Sequence, residues 1–282
     1  MTYVETFEIK ASAPSVFDAL VDPDIARRWL AEQVRIEPIQ GGTFRFWGRD
    51  VIWCASEGET EGEILELDRP HRLVVSWRWK GHATRISFRI EGDSSKSRLS
   101  IEHHFESFDP SADGPGPDMA SCHWRIAIGN LASLLSTGKA SLRPDYTLPS
   151  REGLQRVELE IEIEATPERV FRALIDPAQV QIWMQAETPE IDEGAKRYSY
   201  GWHRGEPAIE VGPVRILELV PNRLLVHDWR WTGEPDGQVR WELAATEHGT
   251  KLRLIHSESR DYTHTLGWSD ALIRIAQLAT SN

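Results

Sequence analysis

The stretch Ala11-Ser12-Ala13-Pro14-Ser15-Val16-Phe17-Asp18-Ala19-Leu20 returns in the second half of the chain as Ala165-Thr166-Pro167-Glu168-Arg169-Val170-Phe171-Arg172-Ala173-Leu174. Self-similarity at a long, constant offset marks a duplicated structural unit. The register continues outward without a gap, Val21-Asp22-Pro23 answering Ile175-Asp176-Pro177 and Trp29 answering Trp183. Farther on, Ile64-Leu65-Glu66-Leu67 matches Ile216-Leu217-Glu218-Leu219, Arg72-Leu73-Val74-Val75 matches Arg223-Leu224-Leu225-Val226, and Trp77-Arg78-Trp79 matches Trp229-Arg230-Trp231. Leu99, Ile101 and His103 pair with Leu252, Leu254 and His256, and Trp124 pairs with Trp268. So many collinear matches imply two copies of one fold, at residues 1–138 and 154–282. Gly138, Ser141, Pro144, Pro149, Ser150 and Gly153 punctuate a linker at 139–153 between them. With 282 residues, each copy has a common domain size and can bury a core without disulfide or metal.

Hydrophobic periodicity orders the elements inside each copy. Tyr3, Phe7 and Ile9, and more cleanly Val157, Leu159, Ile161 and Ile163, alternate with polar neighbours as a half-buried strand does. Ser12 and Thr166 stand at helix N-cap positions ahead of Val16, Phe17 and Leu20, or Val170, Phe171 and Leu174, at helical spacing. Pro23 and Pro177 break that helix, and a second short one is expected at 25–30 and 180–184. Short β-branched or aromatic runs at 43–47, 62–67, 73–79, 84–90 and 98–105 read as strands. With no helix between them they pair antiparallel. A long amphipathic helix closes each half, at 119–136 and 263–280. The fold class is therefore α+β: two tandem domains, each a curved antiparallel sheet with two short helices and a long C-terminal helix. A space between sheet and helix is where a ligand would sit.

Composition narrows the function. A net charge of −12 works against a phosphate backbone, so nucleic acid is not an expected partner. No run reaches the apolar length of a membrane span and no leader pattern opens the chain, so a cytoplasmic protein is expected. Cys54 and Cys122 form no C-x-x-C pair and read as reduced, packed thiols. Glu57, Glu59 and Glu61 with Asp50 show no strong metal-ligand spacing, and no nucleotide or cofactor motif is present, so neither metal nor cofactor is expected.

The A-[ST]-x-x-x-V-F-x-A-L-x-D-P…W run in each half, the later Trp-x-Trp strand and the Trp124 or Gly267-Trp268 opening of the last helix resemble the START-like, or Bet v1-like, helix-grip superfamily. Within it the chain is similar to the branch related to the activator of Hsp90 ATPase homology domain. The resemblance implies a cavity binding a hydrophobic or amphipathic small molecule, such as a lipid or polyketide-like natural product, in biosynthesis, transport or self-resistance. It also leaves open a polyketide aromatase/cyclase activity and a protein-interaction or co-chaperone-like role. Oligomeric state is not determined by these residues.

Candidate ligand contacts follow from strand geometry. Residues two apart on a strand share a face, so Trp77 with Trp79, and Trp229 with Trp231, place flat walls and indole N–H donors toward core and cavity alike. His103 and His256 hold matching places on the last strand, where a neutral imidazole serves as ligand partner or acid–base group, or is only a satisfied structural histidine. Trp124, Trp268 and Trp202 complete the set. His104 must face away from His103, and adjacent Cys122 and His123 cannot act as a catalytic couple on a helix. The copies diverge at their mouths: the first carries a Gly/Pro-rich stretch at 108–117, fit for a lid or a passive loop, and the second carries Trp202-His203-Arg204.

Overall fold

In the computed structural model, residues 1–107, 116–147, 155–201, 212–231, 235–259 and 262–281 are described. They form two compact units, Met1–Leu148 and Pro149–Asn282. Trp202-His203-Arg204 and most of the 108–117 stretch lie outside the described residues.

Unit 1 runs β1 (Thr2–Ile9), α1 (Ala13–Val21), α2 (Pro23–Ala26), β2 (Gln33–Ile36), β3 (Phe44–Trp47), β4 (Thr60–Glu61), β5 (Ile64–Asp68), β6 (Arg72–Trp79), β7 (His82–Gly92), β8 (Ser97–Phe105) and α3 (Pro117–Thr137). Its main sheet has the order β1-β8-β7-β6-β4, with β5 also on β6, every pair antiparallel, while β2 and β3 form a separate hairpin. Unit 2 repeats the plan with β9 (Gln155–Ile163), α4 (Pro167–Ile175), α5 (Pro177–Met184), β10 (Glu187–Asp192), β11 (Arg197–Gly201), β12 (Ile216–Val220), β13 (Leu224–Trp229), β14 (Gly237–Thr246), β15 (Gly249–Ser259) and α6 (Tyr262–Thr280). Its sheet order is β12-β13-β14-β15-β9, the same connectivity. No described helix is long and apolar enough to cross a membrane.

The duplicated stretch folds as it does for local reasons. Ser12 caps α1 by accepting from the Ser15 N–H at 3.2 Å. Asp22 ends α1, then caps α2 by accepting from the Asp24 and Ile25 N–H groups at 2.8 and 3.2 Å, with Pro23 first in the helix, where its missing N–H costs nothing. Asp176 does the same for α5. Thr166 occupies the cap position of α4 without a side-chain cap bond. The second helix of unit 1 is shorter than its sequence suggests: after Ala26 the bonds of Arg28 and Trp29 tighten to the residue three back. The β6–β7 hairpin turns on Lys80 and Gly81, both at positive φ (48° and 81°), the conformation that matches a tight turn to strand twist.

Alternation then builds the core. Leu73, Val75, Trp77, Trp79, Ile86, Phe88, Leu99, Ile101 and Phe105 are buried from the sheet, and Ala120, Trp124, Ile128 and Leu131 from α3. Each valine, leucine, isoleucine or phenylalanine among them contributes about 1.5–3 kcal/mol on burial. The opposite face carries charge pairs, such as Arg98 with Glu8 and Arg78 with Glu61, and the outer face of the unit 2 sheet does the same with Arg253 beside Glu158 and Glu242.

Residues 139–147, expected within the linker, are fastened to unit 1. The buried Asn130 amide donates to the Leu142 carbonyl at 2.7 Å and accepts from its N–H at 2.8 Å. Arg143 pairs with Asp50 and donates to the Arg27 carbonyl, and the Tyr146 N–H reaches the Arg49 carbonyl at 2.7 Å. Asn130→Ala leaves both Leu142 backbone groups unpaired, so a loss of about 1–3 kcal/mol is expected. Limited proteolysis across 139–147 checks it, cleavage rising in the variant.

Candidate functional site

The last strand of each sheet brings one imidazole into the interior. On β8 the side chains of Leu99, Ile101, His103 and Phe105 face inward, and His103 lies in register between Tyr3 of β1 and Ile86 of β7. His104 points outward, exposed, with its Nδ1 on the Thr2 hydroxyl at 3.0 Å. In unit 2, His256 lies between Val157 and Val239. The two imidazoles are 0% and 1% exposed.

The long helix supplies the partner in both units. Trp124 Nε1–H donates to His103 Nδ1 at 3.1 Å, and Trp268 Nε1–H donates to His256 Nδ1 at 3.0 Å. An indole only donates, so Nδ1 must be the bare nitrogen and the neutral ring carries its proton on Nε2. Both Nε2 atoms are buried without a hydrogen-bond partner among the described residues. Burial, reinforced by neighbouring imidazoles, drives the pKa of His103 and of His256 down to about 3. At neutral pH each is an uncharged donor.

The walls are aromatic. Trp77 and Trp79 stack at 4.8 Å, Trp79 lies 5.9 Å from His103, and Phe105 stacks on it at 4.5 Å. In unit 2, Trp229 lies 5.6 Å from His256 and 4.9 Å from Trp268, and Trp231 stacks on Trp229 at 6.5 Å. Trp77, Trp79, Trp124, Trp229, Trp231, His103, His256 and Trp268 are thus gathered as two clusters, while Trp202 lies outside the described residues. Their indole donors are differently placed from the sequence expectation. Trp77 donates to the Thr60 hydroxyl, Trp79 to the Ile52 carbonyl, and Trp124 and Trp268 to the histidines, so these four N–H groups are already engaged by the protein's own acceptors. A strand pattern shows which face a side chain takes, not what its polar tip meets.

Two histidines, His227 and His264, escaped the sequence reading, and a third, His123, was weighed there only as a partner for Cys122. His123 enters the unit 1 cluster beside Trp124, its pKa lowered by burial to about 4 and its Nε2 without a partner among the described residues. It lies three after Ala120 and four before Ala127, the buried stripe of α3, which was the available signal. His264 enters the unit 2 cluster, 4.9 Å from His256, from four residues before Trp268. Different turns of the closing helix thus deliver a second imidazole to each site. His227 is structural: its Nδ1 meets the Asp228 carbonyl at 2.7 Å and its Nε2 takes the Trp241 indole proton at 3.1 Å. Beside His123, a void of about 10 Å³ is bounded by Trp29, Asn130, Arg143 and Tyr146, close to the space one water needs.

Other candidates fall away. Glu57 pairs with Arg35, Glu61 with Arg78, and Glu59 caps the Ser56 N–H. The thiol of buried Cys54 is pushed up to about 12 by burial, far from a reactive thiolate, and neither cysteine is in a disulfide. Among the described residues no group of three or more His, Cys, Asp or Glu could hold a metal. The His103 and His256 pairs are themselves poor ligands, because a neutral imidazole ligating through Nε2 needs its proton on Nδ1, where the indole proton already sits.

The fold and these sites define a tandem helix-grip protein with one aromatic, imidazole-bearing interior per unit. The profile of the family described as activator of Hsp90 ATPase homolog 1-like protein matches residues 10–136 and 164–280, and the chain belongs to that family. No curated protein matches the sequence. Among solved structures, the chain is similar to DynU16, a protein in the dynemicin biosynthetic locus (17% identity, covering 99% of this chain and 97% of that chain, TM-score 0.42). It is also similar to CV1439 from Chromobacterium violaceum (26% identity, 45% of this chain and 98% of that chain, TM-score 0.39) and CalU16 from Micromonospora echinospora (21% identity, 49% and 77%, TM-score 0.38).

Proposed function

We propose that each unit binds a hydrophobic or amphipathic small molecule between its sheet and its long helix. One observation carries this reading: in both units a wholly buried imidazole, set among aromatic rings, has a ring nitrogen with no hydrogen-bond partner among the described residues. Such a group costs about 1–3 kcal/mol, a burden that a ligand relieves. The same group bears on the cyclase alternative. A ring whose Nδ1 is held by an indole and whose Nε2 carries the proton supports holding a carbonyl more than abstracting a proton. Transport, storage or sequestration of the bound molecule fits this chemistry.

The test is titration of the full chain with fatty acids, sterols and polycyclic aromatic ketones, followed by tryptophan fluorescence and calorimetry. Saturable binding with a negative heat-capacity change is expected, the mark of apolar burial. Failure of every class to saturate would overturn the reading.

A further inference from the structure

We infer that the Nε2–H groups of His103 and His256 are fixed donors for a carbonyl or quinone oxygen, so that the ligand of each unit is an uncharged, flat molecule bearing such an acceptor. The inference rests on the binding reading above and narrows its substrate class.

Three observations converge on it. The first is the lock on the tautomer. A histidine free at both nitrogens moves its proton to suit either a donor or an acceptor, but the indoles of Trp124 and Trp268, at 3.1 and 3.0 Å, hold Nδ1 as acceptor and leave Nε2 as donor only. The second is repetition. The two halves have diverged so far that their second imidazoles come from different helix turns. Yet strand histidine, helix tryptophan and unpartnered Nε2 recur in both. A costly arrangement of this kind, present in both copies, points to use.

The third is the company the donor keeps. Trp77, Trp79 and Phe105 in unit 1, and Trp229 in unit 2, offer flat apolar walls and no formal charge. A carboxylate entering there loses its hydration against a single neutral donor, which does not repay it. An ammonium would meet a donor with a donor, and a hydroxyl, although its oxygen can accept, would bury its own O–H against the aromatic walls. An uncharged carbonyl on a planar skeleton satisfies both wall and donor.

A matched pair of probes tests this: 9-fluorenone and fluorene, one tricyclic skeleton carrying C=O or CH₂, measured on the full chain by equilibrium dialysis. The ketone is the better hydrated of the two, so water partitioning alone favours fluorene. Tighter binding of 9-fluorenone by at least about fivefold is expected, the factor for roughly 1 kcal/mol from one neutral hydrogen bond, with two sites per chain. The double variant His103→Phe, His256→Phe is expected to erase the preference while still binding fluorene. Long-range proton–nitrogen spectra of the unsubstituted protein provide a check that needs no variant, with both histidines expected to carry the proton on Nε2. Equal affinity for the probes, or a proton on Nδ1, overturns the inference and leaves the binding reading standing. Binding of neither probe overturns both.

Discussion

Acidification from pH 6.5 to pH 4.5 is expected to remove about 5 kcal/mol of stability from each unit. Burial, the largest cause in every case, lowers His103 and His256 to about 3 and His123 and His227 to about 4. In the unfolded chain each would titrate near 6.5. Above that value both states are neutral and these residues add no pH dependence. Below it the unfolded chain takes up protons that the folded chain refuses, so stability falls as pH falls, levelling off only below the folded values. Each histidine contributes a slope of about 1.4 kcal/mol per pH unit, and each unit holds two. A loss on the order of 5 kcal/mol over two units of pH is comparable to the whole stability of a small domain. Carboxylates held low by their partners, such as Glu242 beside Arg240, act mostly below this window. Urea midpoints followed by tryptophan fluorescence from pH 8 to 4 measure the effect, and a midpoint constant between pH 7 and 4.5 would contradict it.

Trp79→Ala is expected to cost unit 1 about 3–5 kcal/mol, the range for emptying a large aromatic site in a core that relaxes only partly. Trp79 is wholly buried, stacks on Trp77 and His103, and is the donor to the Ile52 carbonyl. Its removal opens a cavity, leaves that carbonyl unpaired and takes away one wall beside the His103 ring. Trp79→Phe, which keeps an aromatic wall but not the donor, is expected to cost less. Hydrogen exchange of unit 1 peptides measures both, and native protection in Trp79→Ala would show that the ring is not part of the core.

The frame was legible in advance because it rests on local or periodic features. The Asp-Pro junctions at 22–23 and 176–177 end one helix and start the next in both halves, and the Trp77-x-Trp79 strand holds one face inward by pleat alone, whereas in unit 2 the strand ends at Trp229, before Trp231. The register of repeats also matched His103 to His256 and Trp124 to Trp268 across the two halves, although it did not bring either histidine to its tryptophan. The docking of 139–147 was not legible, because Gly, Pro and Ser spacing says that a segment is irregular and not that Asn130 will hold it. His264 was within reach, since a residue four before Trp268 shares its helical face.

The amino-acid sequence by itself thus determined the duplication, the element order, the inward faces and the two imidazole positions, since these depend on period, capping and composition along the chain. Only the tertiary structure decided which nitrogen each imidazole presents, which indole donors are already engaged, and that a second histidine joins each cluster. Those outcomes depend on the angle and distance at which a helix meets a strand distant in sequence. A hydrogen bond is directional over tenths of an ångström, whereas a hydrophobic pattern is not.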